Sequence, residues 1–520
     1  METTTPTQSK QETFINQLFP NAELTPTSID QVVQLPRFLS KIEQCEQHFG
    51  IPFDALAYET QQEIIGTRLH QIVNILMLNP LWKARFEEHG ITEAPKTFED
   101  WQRIPITDKE TAINFYSEER KGMVVSLEYG GFEIVASGGT STGKPSETVY
   151  SLEELDDTYH LSGKFMGDHL LPRFFSEEDG MPIISTTYAD FQLWSSGTMV
   201  GGVLQRIPNT NYIAAGPIDK KVYELMMSYE GPKVILGYIE SICQLYDNGL
   251  DLDQEAKDSL RLALYCSGLL SKKKQKELKT LYPNLDILSY FSATQAEAIA
   301  IQFDPNDDAL TTVPALHFIE VVDENGKWVE EGEEGELVIT RLHCNKAPII
   351  RYKLGDRAIR LPIREEENLK TFQFEFRGRS GDVIHIEDHQ FSALNTFDYV
   401  KYQLNNYHNI DLDDIASETQ ITHYRDQKLL SIVIATDYSG YYESVLQTTL
   451  GTEGVQYLVK DALMKSMGLY SKSSIKENSL DQIGYTFKIT FVNTHSDQIY
   501  KTSLGKIPFY RDVLDSTSKS

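Results

Sequence analysis

Short apolar runs alternate with polar or amphipathic segments through the middle of the chain. Residues 234–236 and 260–265 form largely apolar runs, and 285–291 predicts a further strand. Ser271 opens a polar, lysine-rich segment that predicts a helix over 272–281. Strands that alternate with helices are typical of an α/β layer built on parallel strands. We therefore expect such a layer here.

A different pattern follows. The apolar runs 317–322 and 336–341 flank Asn325-Gly326, a dipeptide suited to a tight turn between antiparallel strands. The acidic run 330–336 is short, and it predicts a solvated turn at the start of a strand rather than a metal site. This part of the chain is expected to form an antiparallel subdomain.

The pattern changes again near residue 364, where the polar segment 364–370 predicts a surface turn. We place a domain boundary at 378–382. The predicted fold class is multidomain α/β, with a large domain over 1–378 and a small α+β domain over 379–520. The elements expected in the small domain are strands at 383–386, 429–435 and 487–492 and helices near 391–404 and 453–467.

Composition narrows the function classes. The 520 residues are 40% hydrophobic, enough for several packed cores, and no apolar run approaches the ~18 residues that a membrane span needs. The net charge of −28 disfavours nucleic acid as a partner, because phosphate backbones are repelled. The N-terminal residues have neither the basic region nor the apolar core of a secretory signal. The four scattered cysteines predict reduced thiols without a zinc site, so a cytoplasmic protein is expected.

A segment rich in glycine, serine and threonine offers the clearest chemistry. It follows the strand-like run 132–135 and reads Ala136-Ser-Gly-Gly-Thr-Ser-Thr-Gly-Lys-Pro145. Glycines let such a loop turn its N–H groups inward, and the hydroxyls add donors, so the loop can wrap phosphate oxygens.

The P-loop of NTPases is a rival interpretation. Gly138, Gly143 and Lys144 fit its spacing, but the next position needs a serine or threonine for magnesium and is Pro145. Proline also disfavours helical geometry at Lys144. The next helix is predicted to begin at Ser151, where Ser151 and Glu154 form a capping-box pattern. We therefore reject the P-loop.

The segment resembles the phosphate loop of the adenylate-forming superfamily, which includes acyl-CoA synthetases, peptide-synthetase adenylation domains and luciferases. It most resembles the phenylacetate-CoA ligase group, with one extra residue before Gly143. Other motifs of the superfamily follow in the expected order. They are 104–109, 231–240, Phe291-Ser-Ala-Thr-Gln295, Ile349-Ile-Arg-Tyr-Lys-Leu-Gly-Asp356, Gly378-Arg379 and Lys501-Thr-Ser-Leu-Gly-Lys-Ile507.

The resemblance implies a role for each matching residue. Phe291 would stack on adenine, Asp356 would accept the ribose hydroxyls, and Arg379 would contact ribose or phosphate. Thr294 and Lys506 would stabilise the reacting phosphate. The remaining ATP contacts would come from Ser137, Gly138, Gly139, Thr140, Ser141, Thr142, Gly143 and Lys144. The acyl pocket would be lined by Tyr188, Phe191, Trp194, Tyr238 and Gly268.

The sequence departs from the superfamily at three positions. The magnesium-binding glutamate is replaced by Gln295, and Glu297 is the residue expected to compensate. The hinge residue is Gly381, a natural pivot. Asp388 and His389 stand where a glycine borders the path of CoA, which leaves the acceptor open.

The resemblance therefore implies an enzyme that uses ATP and Mg²⁺ to convert a small aromatic or apolar carboxylic acid into its acyl-AMP. The acyl group would then pass to a thiol, with CoA as the expected acceptor, under a mobile C-terminal lid. Two alternatives stay open. One is an adenylating enzyme whose acceptor is an amine or a carrier-protein thiol, and the other is a nucleotide-binding sensor without activity. Homodimerisation is also left open.

Overall fold

The computed structural model describes residues 13–136, 147–191, 193–266, 268, 270–387, 389–466, 484–502 and 507–513. The chain divides into two compact units. The first comprises 1–268 and 281–376, and the second comprises 269–280 and 377–520.

The first unit contains many α-helices among its described residues. The longest begins at Tyr58 and ends at Leu76, and its buried face includes Ile64, Ile72 and Leu76. The helices in chain order are α1 (Asn21–Leu24), α2 (Ile29–Val33), α3 (Phe38–Phe49), α4 (Tyr58–Leu76), α5 (Pro80–Glu88), α6 (Phe98–Trp101), α7 (Lys109–Tyr116), α8 (Leu152–Phe165), α9 (Ser196–Leu204), α10 (Lys220–Met227), α11 (Ile239–Gly249) and α12 (Gln254–Ser259).

The strands of the first unit form one large sheet and two hairpins. The hairpins are β1–β2 and β13–β14, and the order in the large sheet is β10-β11-β12-β15-β9-β8-β7-β6-β5-β3-β4. The strands are β1 (Phe132–Ala136), β2 (Glu147–Ser151), β3 (Ile183–Thr186), β4 (Asn211–Ala214), β5 (Lys233–Tyr238), β6 (Leu260–Cys266), β7 (Asp286–Ala293), β8 (Glu297–Gln302), β9 (Ala309–Thr312), β10 (His317–Val322), β11 (Glu334–Arg341), β12 (Tyr352–Arg360), β13 (Arg364–Glu366), β14 (Leu369–Thr371) and β15 (Gln373–Arg379).

Strand direction changes within the large sheet. β4, β3, β5, β6 and β7 run parallel, whereas β7, β8 and β9 pair antiparallel. The expected parallel layer is confirmed. Its strands are apolar because both faces are covered: Val234 and Leu262 on one face and Ile235 and Ala263 on the other are buried. The expected antiparallel strands are also present, and they continue the same sheet.

The second unit is a mixed α/β body with its own core. Its four-stranded sheet has the order β20-β19-β18-β21, in which β18 and β19 are antiparallel and the outer pairs are parallel. Its elements are α13 (Lys272–Leu281), β16 (Val383–Ile386), β17 (His389–Ser392), α14 (Ala393–Tyr407), α15 (Leu412–Ile415), β18 (Glu418–Tyr424), β19 (Leu429–Thr436), α16 (Ser439–Thr449), α17 (Gly451–Ser466), β20 (Thr486–Asn493) and β21 (Tyr510–Val513).

The segment 364–370 contains the expected turn, at 367–368, and on either side of it β13 and β14 pair as a short hairpin that was not predicted. Their many charges hid the strands from an apolar pattern, and two of those charges, Arg364 and Glu366, form an ion pair. In the part of the chain that the structure describes, no helix is long and apolar enough to cross a bilayer.

Candidate active site

The glycine-rich segment lies in the sequence between two paired strands. Ala136 at the end of β1 pairs with Glu147 at the start of β2, so the described residues that flank 137–146 are neighbours. The predicted ATP contacts Ser137 to Lys144 lie outside the described residues. The first described residues after the segment form the strand β2. A P-loop would require a helix there, so this strand agrees with the rejection of that motif.

The helix after this hairpin begins where the sequence predicted, but its capping differs. The Ser151 hydroxyl oxygen accepts a hydrogen bond from the Glu154 N–H, at 3.2 Å, and caps α8. The expected return contact from the Glu154 side chain is replaced by an ion pair with Arg341, 2.9 Å away, and both side chains are buried. Local spacing could not show this, because Arg341 is remote in the sequence.

A hydrogen bond joins the hairpin to the second phosphate motif. The Tyr150 hydroxyl in β2 donates to the carbonyl oxygen of Thr294, at 2.8 Å. Thr294 and Gln295 lie in the tight turn between β7 and β8, which the Ala296 N–H closes by donating to the Ala293 carbonyl oxygen at 3.0 Å. The structure thus brings together the base of the glycine-rich segment and the turn that carries Thr294.

Glu297, on the far side of this turn, is an unusual carboxylate. It is buried, its φ of 51° lies in the left-handed region, and its Oε2 has no hydrogen-bond partner among the described residues. Burial raises the pKa of its carboxyl to about 7. Strained and unpartnered groups of this kind are concentrated at functional sites.

Gln295 and Glu297 were predicted to face magnesium. A carboxylate and an amide oxygen are hard donors of the kind that Mg²⁺ accepts, so the pair fits an ion that takes its other ligands from phosphate and water. The described residues contain no cluster of three or more histidine, cysteine, aspartate or glutamate side chains arranged for a metal.

Phe291, the predicted adenine contact, is half-buried. Its ring centroid lies 5.4 Å from that of Phe374, edge to face, and 5.6 Å from that of Phe376. These neighbours fix the orientation of the ring, which leaves its stacking on adenine a prediction.

Two motifs separated by more than 200 positions also meet. The Thr107 N–H donates to the Arg351 carbonyl oxygen at 2.8 Å, and the Lys353 N–H donates back to the Thr107 carbonyl oxygen at 2.9 Å. The segment 104–109 is thereby held against the start of β12. Asp356, the predicted ribose contact, lies farther along β12 and is buried, directly after Gly355 with φ of 81°.

The predicted acyl-pocket residues form one tight aromatic pair. The rings of Tyr188 and Tyr238 meet edge to face with centroids 4.2 Å apart, and the Tyr188 hydroxyl contacts the Cys266 thiol. The Tyr238 hydroxyl lies 3.1 Å from the Ser196 hydroxyl. This pair is therefore apolar in its rings and polar at its hydroxyl tips.

The other three residues predicted for the pocket occupy different settings. Phe191 and Trp194 exchange main-chain hydrogen bonds of 2.9 Å, and the Phe191 side chain is 56% exposed. Gly268 has φ of 147°, which favours glycine, and a Cβ there would lie 3.1 Å from Cδ1 of Ile239.

The predicted hinge lies at the end of β15 and just after it, and the last three residues of this strand already belong to the second unit. Gly378 has φ of 91°, Arg379 is exposed, and the Asp382 N–H donates to the Arg379 carbonyl oxygen at 3.0 Å. Burial raises the pKa of the Asp382 carboxyl to about 6, although the Arg379 charge opposes this shift. A Cβ on Gly381 would meet no neighbouring atom. Lys506 and Asp388 lie outside the described residues.

Sequence reasoning missed the buried polar side chains behind the hairpin. The Arg341 guanidinium lies 4.3 Å from the Tyr150 ring centroid, and its Nη2 donates to the carbonyl oxygens of Val149 and Ala347 at 3.0 and 2.9 Å. The only signal in the sequence was Glu154, an acid at an otherwise inward-facing position early in α8.

Known proteins with similar sequences are ligases. The chain is 24% identical over 260 residues to a D-alanine–D-alanyl carrier protein ligase of Bacillus licheniformis, a match that covers 43% of this chain and 49% of the relative. It is 22% identical over 341 residues to phenylacetate-coenzyme A ligase of Escherichia coli, covering 64% and 73%. The chain thus spans about half the length of the carrier-protein ligases it matches. No protein-family model matches it.

Structural similarity extends over most of the chain. A 2-hydroxyisobutyryl-CoA ligase in the postadenylation state, bound to an acyl-AMP, is 14% identical with a TM-score of 0.64, covering 89% of this chain and 91% of that one. The same enzyme in an open conformation with 2-HIB-AMP and CoA gives a TM-score of 0.58 over 88% and 93%. The chain therefore has the fold of the adenylate-forming ligases, with sequence similarity to both carrier-protein and CoA ligases.

Proposed function

We propose that this protein is an ATP-dependent, AMP-forming ligase that activates a carboxylic acid as acyl-AMP and transfers the acyl group to a thiol. The observation that carries the proposal is the Tyr150–Thr294 hydrogen bond of 2.8 Å. It holds the hairpin of the glycine-rich segment against the turn with Thr294, Gln295 and Glu297. These are the two parts of the chain whose residue types suit polyphosphate.

In the first step the substrate carboxylate attacks the α-phosphorus of ATP in line and pyrophosphate leaves. The work of the protein is positioning and stabilisation of developing negative charge. The N–H groups and hydroxyls of the glycine-rich segment would hold the β- and γ-phosphates, and Thr294 and Lys506 would donate to the oxygens of the reacting phosphate. Gln295 and Glu297 would hold Mg²⁺, which neutralises phosphate charge when bound.

The nucleoside would be held by three residues. Asp356 would accept from the ribose hydroxyls, Phe291 would offer a flat apolar face to adenine, and Arg379 would contact ribose or phosphate oxygens. Losing a preorganised donor at the reacting phosphate typically costs ~3–4 kcal/mol, or ~10²–10³ in rate.

The Tyr188–Tyr238 pair supports an acid of aromatic or apolar character. Its two rings, packed edge to face, supply apolar surface, while the hydroxyls contact Cys266 and Ser196. The expected acceptor is CoA, and a carrier-protein thiol is the second candidate because the chain resembles carrier-protein ligases as well as a CoA ligase.

Carboxylate-dependent exchange of labelled pyrophosphate into ATP tests the proposal, using a panel of aromatic, aliphatic, hydroxy and amino acids. An acid that supports exchange establishes adenylation and names the substrate class. Bound ATP without exchange for any acid would instead indicate a nucleotide sensor. Mass spectrometry of the product formed with CoA, or with a carrier protein, then identifies the acceptor.

A further inference from the structure

We propose that Tyr150 is a positioning residue, which fixes the Thr294 turn relative to the base of the glycine-rich segment. This inference rests on the proposed adenylation reaction and adds a residue to it. Tyr150 is not expected to touch substrate, since its hydroxyl is engaged with the main chain of Thr294.

The hydrogen bond acts on the part of Thr294 that sets its direction. The acceptor is the Thr294 carbonyl oxygen, which belongs to the peptide unit joining Thr294 to Gln295. Fixing that peptide limits rotation on both sides of it. The Thr294 hydroxyl and the Gln295 amide, the groups assigned to phosphate and magnesium, are thereby held in direction.

The donor end of the bond is rigid. Tyr150 is 1% exposed and sits in β2, paired with Glu133 of β1. Arg341 covers its ring at 4.3 Å and donates to the neighbouring Val149 carbonyl oxygen. Burial raises the pKa of the Tyr150 hydroxyl well above its usual range, so the group keeps its proton and remains a donor at neutral pH.

Arg341 itself is fixed by a second element. Its Nε lies 2.9 Å from the Glu154 carboxylate in the first turn of α8, and its Nη2 also donates to the Ala347 carbonyl oxygen. Tyr150 is therefore clamped among β2, α8 and the segment after β11.

The acceptor end needs an external partner. The turn is short, and Glu297 at its end adopts φ of 51°, a left-handed conformation that side chains disfavour. A strained turn relaxes when a hydrogen bond from outside is lost. The Tyr150 hydroxyl supplies such a bond from a neighbouring strand.

The test is Tyr150→Phe, which removes the hydroxyl and keeps the ring. Steady-state pyrophosphate exchange should show kcat lower by about tenfold to a hundredfold, the scale of a misplacement of about 1 Å, with a much smaller change in KM for ATP. The matched control is Tyr282→Phe, which also deletes a buried hydroxyl that donates to a carbonyl oxygen, that of Leu245 at 2.5 Å. It should keep the wild-type kcat.

A double-mutant cycle with Thr294→Ala separates positioning from general loosening. If Tyr150 acts partly through the Thr294 hydroxyl, Tyr150→Phe should lower kcat by a clearly smaller factor in the Thr294→Ala background than in the wild type, and the remaining loss reports on Gln295. Full additivity of the two losses would overturn the proposal. So would an unchanged kcat in Tyr150→Phe, or an equal loss in Tyr282→Phe. Wild-type protein without exchange for any acid would instead overturn the proposed adenylation, and this inference with it.

Discussion

Arg351 and Glu320 form a fully buried ion pair, with Nη2 of the arginine 3.0 Å from Oε1 of the glutamate. Arg351 also donates to the carbonyl oxygens of Gln102, Ile104 and Gly326. The arginine of the motif that ends at Asp356 is therefore buried in the protein interior and paired there. Arg351 thus holds the segment 104–109 against β12. The predicted substrate contact of this motif is Asp356.

We predict that Arg351→Ala lowers the free energy of unfolding by ~3–5 kcal/mol, because it leaves the Glu320 carboxylate buried without its partner. All four tryptophans (Trp82, Trp101, Trp194 and Trp328) lie in the first unit, so their fluorescence during urea unfolding reports on it. The control Arg103→Ala removes an exposed pair with Asp100 and should cost no more than ~1 kcal/mol. Equal losses would contradict the structural role of Arg351.

Asp356→Ala should weaken ATP binding. A charge-assisted hydrogen bond is worth ~1.5–3 kcal/mol, which corresponds to a Kd raised by ~10- to 150-fold. Calorimetric titration with ATP in the absence of acid measures this directly. Asp356→Asn keeps a hydrogen-bond acceptor without the charge, so its Kd for ATP should lie between those of the wild type and Asp356→Ala. An unchanged affinity in a folded Ala variant would remove Asp356 from the ATP site.

Elements with strong local patterns were predicted well from the sequence. The lysine-rich segment 272–281 is the helix α13, and the apolar run 317–322 is the strand β10. Both patterns depend on neighbours a few residues away. The continuity of the large sheet was missed because it depends on the antiparallel pairing of β7 with β8, which apolar patterning does not reveal.

In the candidate site, too, residues within recognisable motifs were predicted, and residues that depend on distant partners were missed. Tyr188 and Tyr238 were grouped because they fall in regions that line the acyl pocket in the superfamily, and their rings do meet, although their contact with an acid remains a prediction. Tyr150 and Arg341 were missed, since an inward tyrosine on a short strand and an arginine at a strand end carry no signature. Their meaning depends on partners far away in the chain, such as Thr294 and Glu154.

His317 should make the first unit sensitive to mild acid. Burial, with the nearby charges of His343 and Arg341, lowers the pKa of its imidazole to about 3 from 6.5. A lowered histidine pKa means that the unfolded chain binds the proton more readily. The contribution of His317 to the free energy of unfolding is therefore fully present above pH 6.5, and it declines as the pH falls from 6.5 towards 3.

At pH 5 this group should cost ~2 kcal/mol of unfolding free energy relative to pH 8. Glutamine cannot be protonated. The drop in unfolding free energy from pH 8 to pH 5 should therefore be smaller in His317→Gln than in the wild type, by ~2 kcal/mol. Urea unfolding followed by tryptophan fluorescence at both pH values makes the comparison. If the wild type and the variant lose the same free energy of unfolding between pH 8 and pH 5, the pKa of His317 is not lowered in the folded state.

Lys506→Ala should affect the two half-reactions unequally. By resemblance to the superfamily, Lys506 reaches the carboxylate and the α-phosphate in the adenylating pose and is remote from them during thiol transfer. Its loss should lower pyrophosphate exchange by ~10²–10³, the usual cost of a preorganised charged contact, while thioester formation from supplied acyl-AMP is largely kept.

Both rates are measured on one preparation, because misfolding would lower them together. The control is Lys465→Ala on α17 of the same unit, whose ammonium lies 3.1 Å from the Asp461 carboxylate and whose side chain is 54% exposed. That variant should keep both rates, since an exposed ion pair contributes little to stability. Equal losses in both half-reactions of Lys506→Ala, or full exchange activity, would refute the two-pose mechanism for this chain.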